Sequence, residues 1–146
     1  MRKSILALAL VLAATPALAD KTLIESPDAP KAIGPYSQAI KSGKLVFVSG
    51  SLPFDPAGKI DYSGQDVSAQ TKRAIDNIAL ELKAANLSLD DVVSATVYVT
   101  YIDDFAAVNQ AYASYFHPPY PARAFLQVAK LLRGAKVEIS VIAARP

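Results

Sequence analysis

Arg123 and Glu138 invite a chemical reading because each interrupts an otherwise apolar stretch. Charged groups are seldom buried unless they are paired or carry a function. A guanidinium fork grips a carboxylate through two parallel hydrogen bonds, and a nearby glutamate can position or deprotonate a water. A purely structural reading stands beside this one: a salt bridge, or edge-strand charges left in solvent. Ile33-Gly34-Pro35-Tyr36-Ser37 is the second unusual stretch. Its Gly-Pro step fixes the backbone ahead of a tyrosine, which puts a phenol at a pocket wall or simply makes a turn with an aromatic beside it. His117 sits between Phe116 and Pro118 with no serine and acid paired to it by spacing, so no catalytic triad is read. There is no phosphate loop, dinucleotide fingerprint or metal motif. With one histidine and no cysteine, no transition-metal site is expected.

These residues need elements to hold them. Residues 26–35 carry three prolines and a glycine and read as an ordered loop. Ser37 to Lys41 and Lys44 to Gly50 flank Ser42-Gly43, which predicts a hairpin, and Asp55-Pro56-Ala57-Gly58 predicts a turn. From Asp66 to Asn86, Val67, Thr71, Ala74, Ile75, Ile78, Leu82 and Ala85 recur at three and four, one apolar stripe of a helix. Asp66 suits its N-terminus and Asn86 its left-handed stop. Asn86-Leu87-Ser88 matches a glycosylation sequon, read at a helix stop as chance. Val92 to Tyr101 alternates, with Val93, Ala95, Val97 and Val99 on one face and Ser94, Thr96, Tyr98 and Thr100 on the other. A second helix, about Ile102 to Phe116, turns Phe105, Val108, Tyr112 and Tyr115 or Phe116 inward. Strands over Ala122 to Leu131 and Lys136 to Ala144 complete an α+β domain, one sheet with both helices on one face. The half-polar face of Ser94, Thr96 and Tyr98 either packs against other subunits or faces solvent.

The N-terminus reads as a removable secretory leader over residues 1–19. Arg2 and Lys3 precede an apolar run from Ile5 to Ala14, and Ala17-Leu18-Ala19 supplies small residues for cleavage. The run is too short to span a membrane, which takes about 20 apolar residues. The expectation is therefore a periplasmic or secreted single domain over 20–146, with no membrane association after cleavage. The chain has 15 Lys+Arg against 13 Asp+Glu, and losing Arg2 and Lys3 leaves it formally neutral. That gives no reason to expect nucleic acid as a partner.

Taken together, Ala32-Ile33-Gly34-Pro35-Tyr36-Ser37-Gln38-Ala39, Val48-Ser49-Gly50, Val108-Asn109 with Tyr112 and Phe116, Tyr120-Pro121-Ala122-Arg123, and Val137-Glu138-Ile139 resemble the reactive-intermediate deaminase (RidA, formerly YjgF) family. The motifs run in the same order over nearly all of the chain after residue 19. The resemblance implies a chorismate-mutase-like fold with one mixed sheet, assembled as a homotrimer around a central β-barrel with ligand clefts between subunits. It implies hydrolysis of short 2-imino or 2-enamino acids, such as 2-aminoacrylate, to 2-keto acids and ammonia, without a cofactor. Position by position, Arg123 matches the arginine that grips the substrate carboxylate and Glu138 the acid that orients the attacking water. Tyr36, Ser49 and Asn109 match pocket positions. Phe125 stands where many members carry cysteine, Ser51 replaces a glutamine and Leu132 a proline, and the loop at His117-Pro118-Pro119 is shorter. The alternative function is a non-catalytic trimer that binds small carboxylates in the same clefts.

Overall fold

The structure, a computed structural model, describes residues 20–59 and 66–145. The leader expected over residues 1–19 falls outside the described residues. Six strands, β1 (Lys21–Ile24), β2 (Ala39–Ser42), β3 (Leu45–Ser51), β4 (Val92–Val99), β5 (Ala122–Gln127) and β6 (Val137–Ala144), form one sheet in the order β1-β2-β3-β6-β4-β5. The sheet is mixed: β4 and β5 run parallel, and the other pairs are antiparallel. Within one chain it is an open sheet, not a closed barrel. Helix α1 (Val67–Ala84) and helix α2 (Phe105–Ala113) cover one face, as the α+β expectation requires.

Helix α1 forms where its stripe and end signals put it. The Asp66 side chain accepts a 2.7 Å bond from the Ala69 amide, taking up one of the donors a helix start leaves free. At the other end Asn86 adopts φ 55°, and the Leu87 amide reaches back to the Leu82 carbonyl. Between them Ala74, Ile75, Ile78 and Leu82 are fully buried against Val46, Val48, Val97, Val99, Val137, Ile139 and Val141 of the sheet. That apolar layer is the core.

The hairpin turns at Gly43, with φ 58°, and the Asp55–Gly58 turn closes with Gly58 at φ 70°. Five expectations need correction, the first being strand β5, which ends at Gln127 rather than Leu131. Strand β1 was not anticipated. Val93 is 48% exposed, because the β4–β6 register shifts between Val92 and Ser94, so that Val92, not Val93, joins Ala95, Val97 and Val99 inside. The second helix starts as a 3₁₀ turn (Ile102–Asp104) and ends at Ala113. Phe105 is 47% exposed and packs edge-on against Phe125, with ring centroids 5.0 Å apart.

Candidate active site

The expected site residues fall into two clusters. The first lies where β5 meets α2. Arg123 projects from β5 toward the helices, where its guanidinium donates a 2.6 Å hydrogen bond to Asn109 Oδ1 and lies 4.7 Å from the centre of the Tyr112 ring. Phe125, two residues on and on the same strand face, places its ring 5.8 Å from that guanidinium. Stacking and one hydrogen bond fix the plane of the fork while leaving donors free. Asn109, Tyr112, Ala113, Tyr120, Pro121 and Arg123 line a cavity of about 430 Å³ beside it. Burial pushes the Tyr112 hydroxyl up to about 12, against the lowering influence of Arg123, so it stays a neutral phenol. The first cluster is a stacked, hydrogen-bonded guanidinium beside a cavity, a geometry able to bind a carboxylate.

The second cluster lies at the β3–β6 junction. Pairing of β3 with β6 is regular to Val48 and shifts before Ser51, so Ser49 and Gly50 form a bulge. The Glu138 carboxyl rests on Gly50: a Cβ added there would fall 2.8 Å from Glu138 Cδ. Half-burial raises the Glu138 carboxyl above its ordinary range. Ser49 Oγ donates to the Ser37 carbonyl at 2.6 Å, leaving its lone pairs to accept. Tyr36 Oη accepts from the Ile33 amide at 3.2 Å, leaving its proton to donate. The second cluster holds a carboxylate, a hydroxyl acceptor and a phenol donor.

The two clusters do not meet within one chain. Arg123 is paired across β4 with Ala95, and Glu138 with Tyr98. Ala95 and Tyr98 are three residues apart, so they point to opposite sheet faces. Two strand spacings sideways and three residues along put the Arg123 and Glu138 backbones about 14 Å apart. Arg123 and Glu138 therefore do not pair with each other, and a small substrate cannot touch both in one protomer.

Reading the sequence missed Glu81, which lies beside the second cluster. It sits on the α1 stripe with Gln70, Ala74 and Asn77, a helical repeat of three and four that could have flagged it. Among the described residues no group of three or more potential metal ligands occurs, and no helix is long and apolar enough to cross a membrane.

The family described as Endoribonuclease L-PSP matches residues 26–145. The chain is 48% identical over 122 residues to Protein DfrA of Myxococcus xanthus, covering 82% of this chain and 92% of that one. It is 45% identical over 124 residues to the 2-iminobutanoate/2-iminopropanoate deaminase of Capra hircus, covering 84% of this chain and 89% of that one. Among solved structures, E. coli TdcF with bound serine is similar with a TM-score of 0.79 and 39% identity, covering 86% of this chain and 99% of that one.

Proposed function

Because this chain belongs to the endoribonuclease L-PSP family, as a RidA/YjgF-like member, we propose that it hydrolyses short 2-imino and 2-enamino acids, such as 2-aminoacrylate, to 2-keto acids and ammonia. The observation that carries this reading is a stacked, hydrogen-bonded guanidinium on one sheet face and a half-buried carboxyl seated against Gly50 on the other. A cleft shared by two subunits unites them.

Arg123, its plane held by Asn109 and Tyr112, takes the α-carboxylate. An imine carbon is already electrophilic, so positioning and one acceptor for a water proton suffice. Glu138 takes that proton as the water oxygen bonds to C2, and returns it to the amino group of the tetrahedral adduct. The adduct's hydroxyl then passes its proton through Glu138 to that nitrogen as its oxygen forms the carbonyl, and the C–N bond breaks to release ammonia and leave the keto acid. Tyr36 and Ser49 offer a donor and an acceptor at the same wall. No cofactor enters these steps. The substrate is a small carboxylate rather than nucleic acid, since the chain beyond Lys3 balances its charges.

The assembly we favour is a homotrimer, its sheets facing inward around a barrel. Phe47, 42% exposed, sits opposite Ile142 on the helix-free sheet face, beside Ser94, Thr96 and Ser140. A mixed apolar and small-polar face of this kind suits burial against like sheets better than solvent. The leader-like order of residues 2–19 supports an exported, periplasmic or secreted site of action.

Two measurements test the reading. Arg123→Ala and Glu138→Gln homo-oligomers should each be inactive, while unfolding and refolding them together in equal amounts should restore about a quarter of native activity. That is the fraction of sites drawing an intact clamp from one subunit and an intact carboxylate from the next. No recovery in verified mixed oligomers would sink the shared cleft. Secondly, Glu138 works ionised, so kcat/KM should rise with pH through an acid limb above the ordinary carboxylate value of 4.5. A limb at or below 4.5 would remove Glu138 from this role. Thermal protection by small carboxylates without turnover of any imine would instead identify the binding-only alternative.

A further inference from the structure

Behind the second cluster, a carboxyl the reaction does not use is enclosed in the protein. Glu81 is 7% exposed, and its Oε2 is buried with no hydrogen-bond partner among the described residues. It lines a cavity of about 30 Å³ together with Tyr36, Gln38, Ser49, Gly50, Ser51 and Leu52. That space is large enough for one water molecule, and Ser49 and Ser51 are among the polar residues that line it.

The same helix face already ties down this segment. Ser51 Oγ donates to the Ala74 carbonyl at 3.1 Å, and Asn77 Nδ2 donates to the carbonyls of Leu52 and Phe54, each at 3.0 Å. Glu81 lies one turn beyond Asn77 on α1, so it faces the next stretch of the segment, the bulge itself. Glu138 touches Gly50 from the helix-free face of the sheet, whereas Glu81 approaches from the helix-covered face. Two carboxyls thus bracket one bulge.

We propose that Glu81 is a positioning residue, holding the Ser49–Leu52 segment from behind through a water in this cavity and so setting where Ser49 and Glu138 stand. The role in positioning the reacting groups rests on the deaminase reading; the hold on the segment does not. Burial pushes the Glu81 carboxyl up to about 8, so at neutral pH it is uncharged and can both donate to and accept from a water. The other titratable residues lining the cavity are Lys31 and Tyr36, and Glu138 lies across Gly50. None is within hydrogen-bond reach of the buried Oε2.

The sign of the pH effect follows. A carboxyl whose folded value is raised contributes fully below its ordinary value of 4.5, and that contribution is lost as pH rises toward about 8. Local opening frees Glu81 to ionise, so opening becomes easier across that window and levels off above it. Hydrogen exchange of the Ser49, Gly50, Ser51 and Leu52 amides, measured on the full chain and corrected for intrinsic base catalysis, reads this directly. Protection should fall by up to about tenfold per pH unit between about pH 5 and 8. In Glu81→Gln it should be independent of pH, and Glu81→Leu serves the same purpose should glutamine not be accommodated. In Glu138→Gln the slope should persist. Flat protection in the native chain, or a native slope in the Glu81 variants, overturns the proposal. Where imine turnover is measurable, kcat/KM should fall above pH 8 in the native chain and not in Glu81→Gln. Absence of turnover in the native chain would count against the deaminase reading, and exchange alone would then decide the role of Glu81.

Discussion

Arg123→Ala is expected to lower kcat/KM for freshly generated 2-aminoacrylate by about a thousandfold or more, with fold and assembly retained. A thousandfold is roughly 4 kcal/mol of transition-state stabilisation, the scale of losing a bidentate charge-assisted contact in a partly enclosed site. The fold tolerates the truncation because Arg123 is half-buried on an edge strand, and its contacts are one hydrogen bond to Asn109 and stacking on Tyr112 and Phe125. Asn109 Oδ1 lines an open cavity and can bond water once its donor is gone. Arg123→Lys separates charge from geometry: a point charge keeps the attraction but cannot present a planar fork. It should recover only a minor part of the loss. Steady-state kinetics on freshly generated imine, with sedimentation to confirm the assembly, makes the measurement. Turnover by Arg123→Ala at the native rate would end the clamp assignment.

The site residues and the register that orients them were unequally legible in the sequence. Arg123, Glu138, Tyr36, Ser49, Asn109 and Phe125 could be named, and α1 could be bounded almost to the residue, because capping at Asp66 and the left-handed stop at Asn86 are local effects. Register is not local. That Arg123 and Glu138 face opposite ways follows from how β5 and β6 each align on β4, which no alternation within one strand reveals. The shift near Val93 has the same origin, as does the bulge at Ser49 and Gly50. Strand β1, four residues with an exposed pattern, exists because the edge of β2 offers it a partner.

Glu81 was missed for a different reason. A polar residue beside an apolar helical stripe reads as its solvent boundary, and Gln70, Asn77 and Glu81 all fit that description. Only the packing shows that they face loop and sheet backbone instead. Gln70 Oε1 accepts from the Lys136 amide at 2.8 Å, and Asn77 bonds two carbonyls, while Glu81 meets a cavity. The repeat of three and four marks one helix face but not that the face is buried, because the partners of its polar groups are backbone atoms common to every residue.

Gly50→Ala should cost activity out of proportion to its chemistry: kcat is expected to fall by about a hundredfold or more, the scale of misplacing a reacting group by about 1 Å. The added methyl removes no polar group, and Gly50 does not rely on a left-handed backbone, unlike Gly43 and Gly58. What it meets is the Glu138 side chain, 2.8 Å from Cδ and 3.2 Å from Cγ. The flexible carboxyl gives way more readily than the bulge, so the fold survives while Glu138 leaves its place. A double-mutant cycle isolates this cause. If Gly50 acts through Glu138, then Gly50→Ala combined with Glu138→Gln is no slower than Glu138→Gln alone. If the losses add, the methyl acts on the cleft by another route. If Gly50→Ala is as active as the native chain, the seat of Glu138 over Gly50 is not the one it occupies during the reaction.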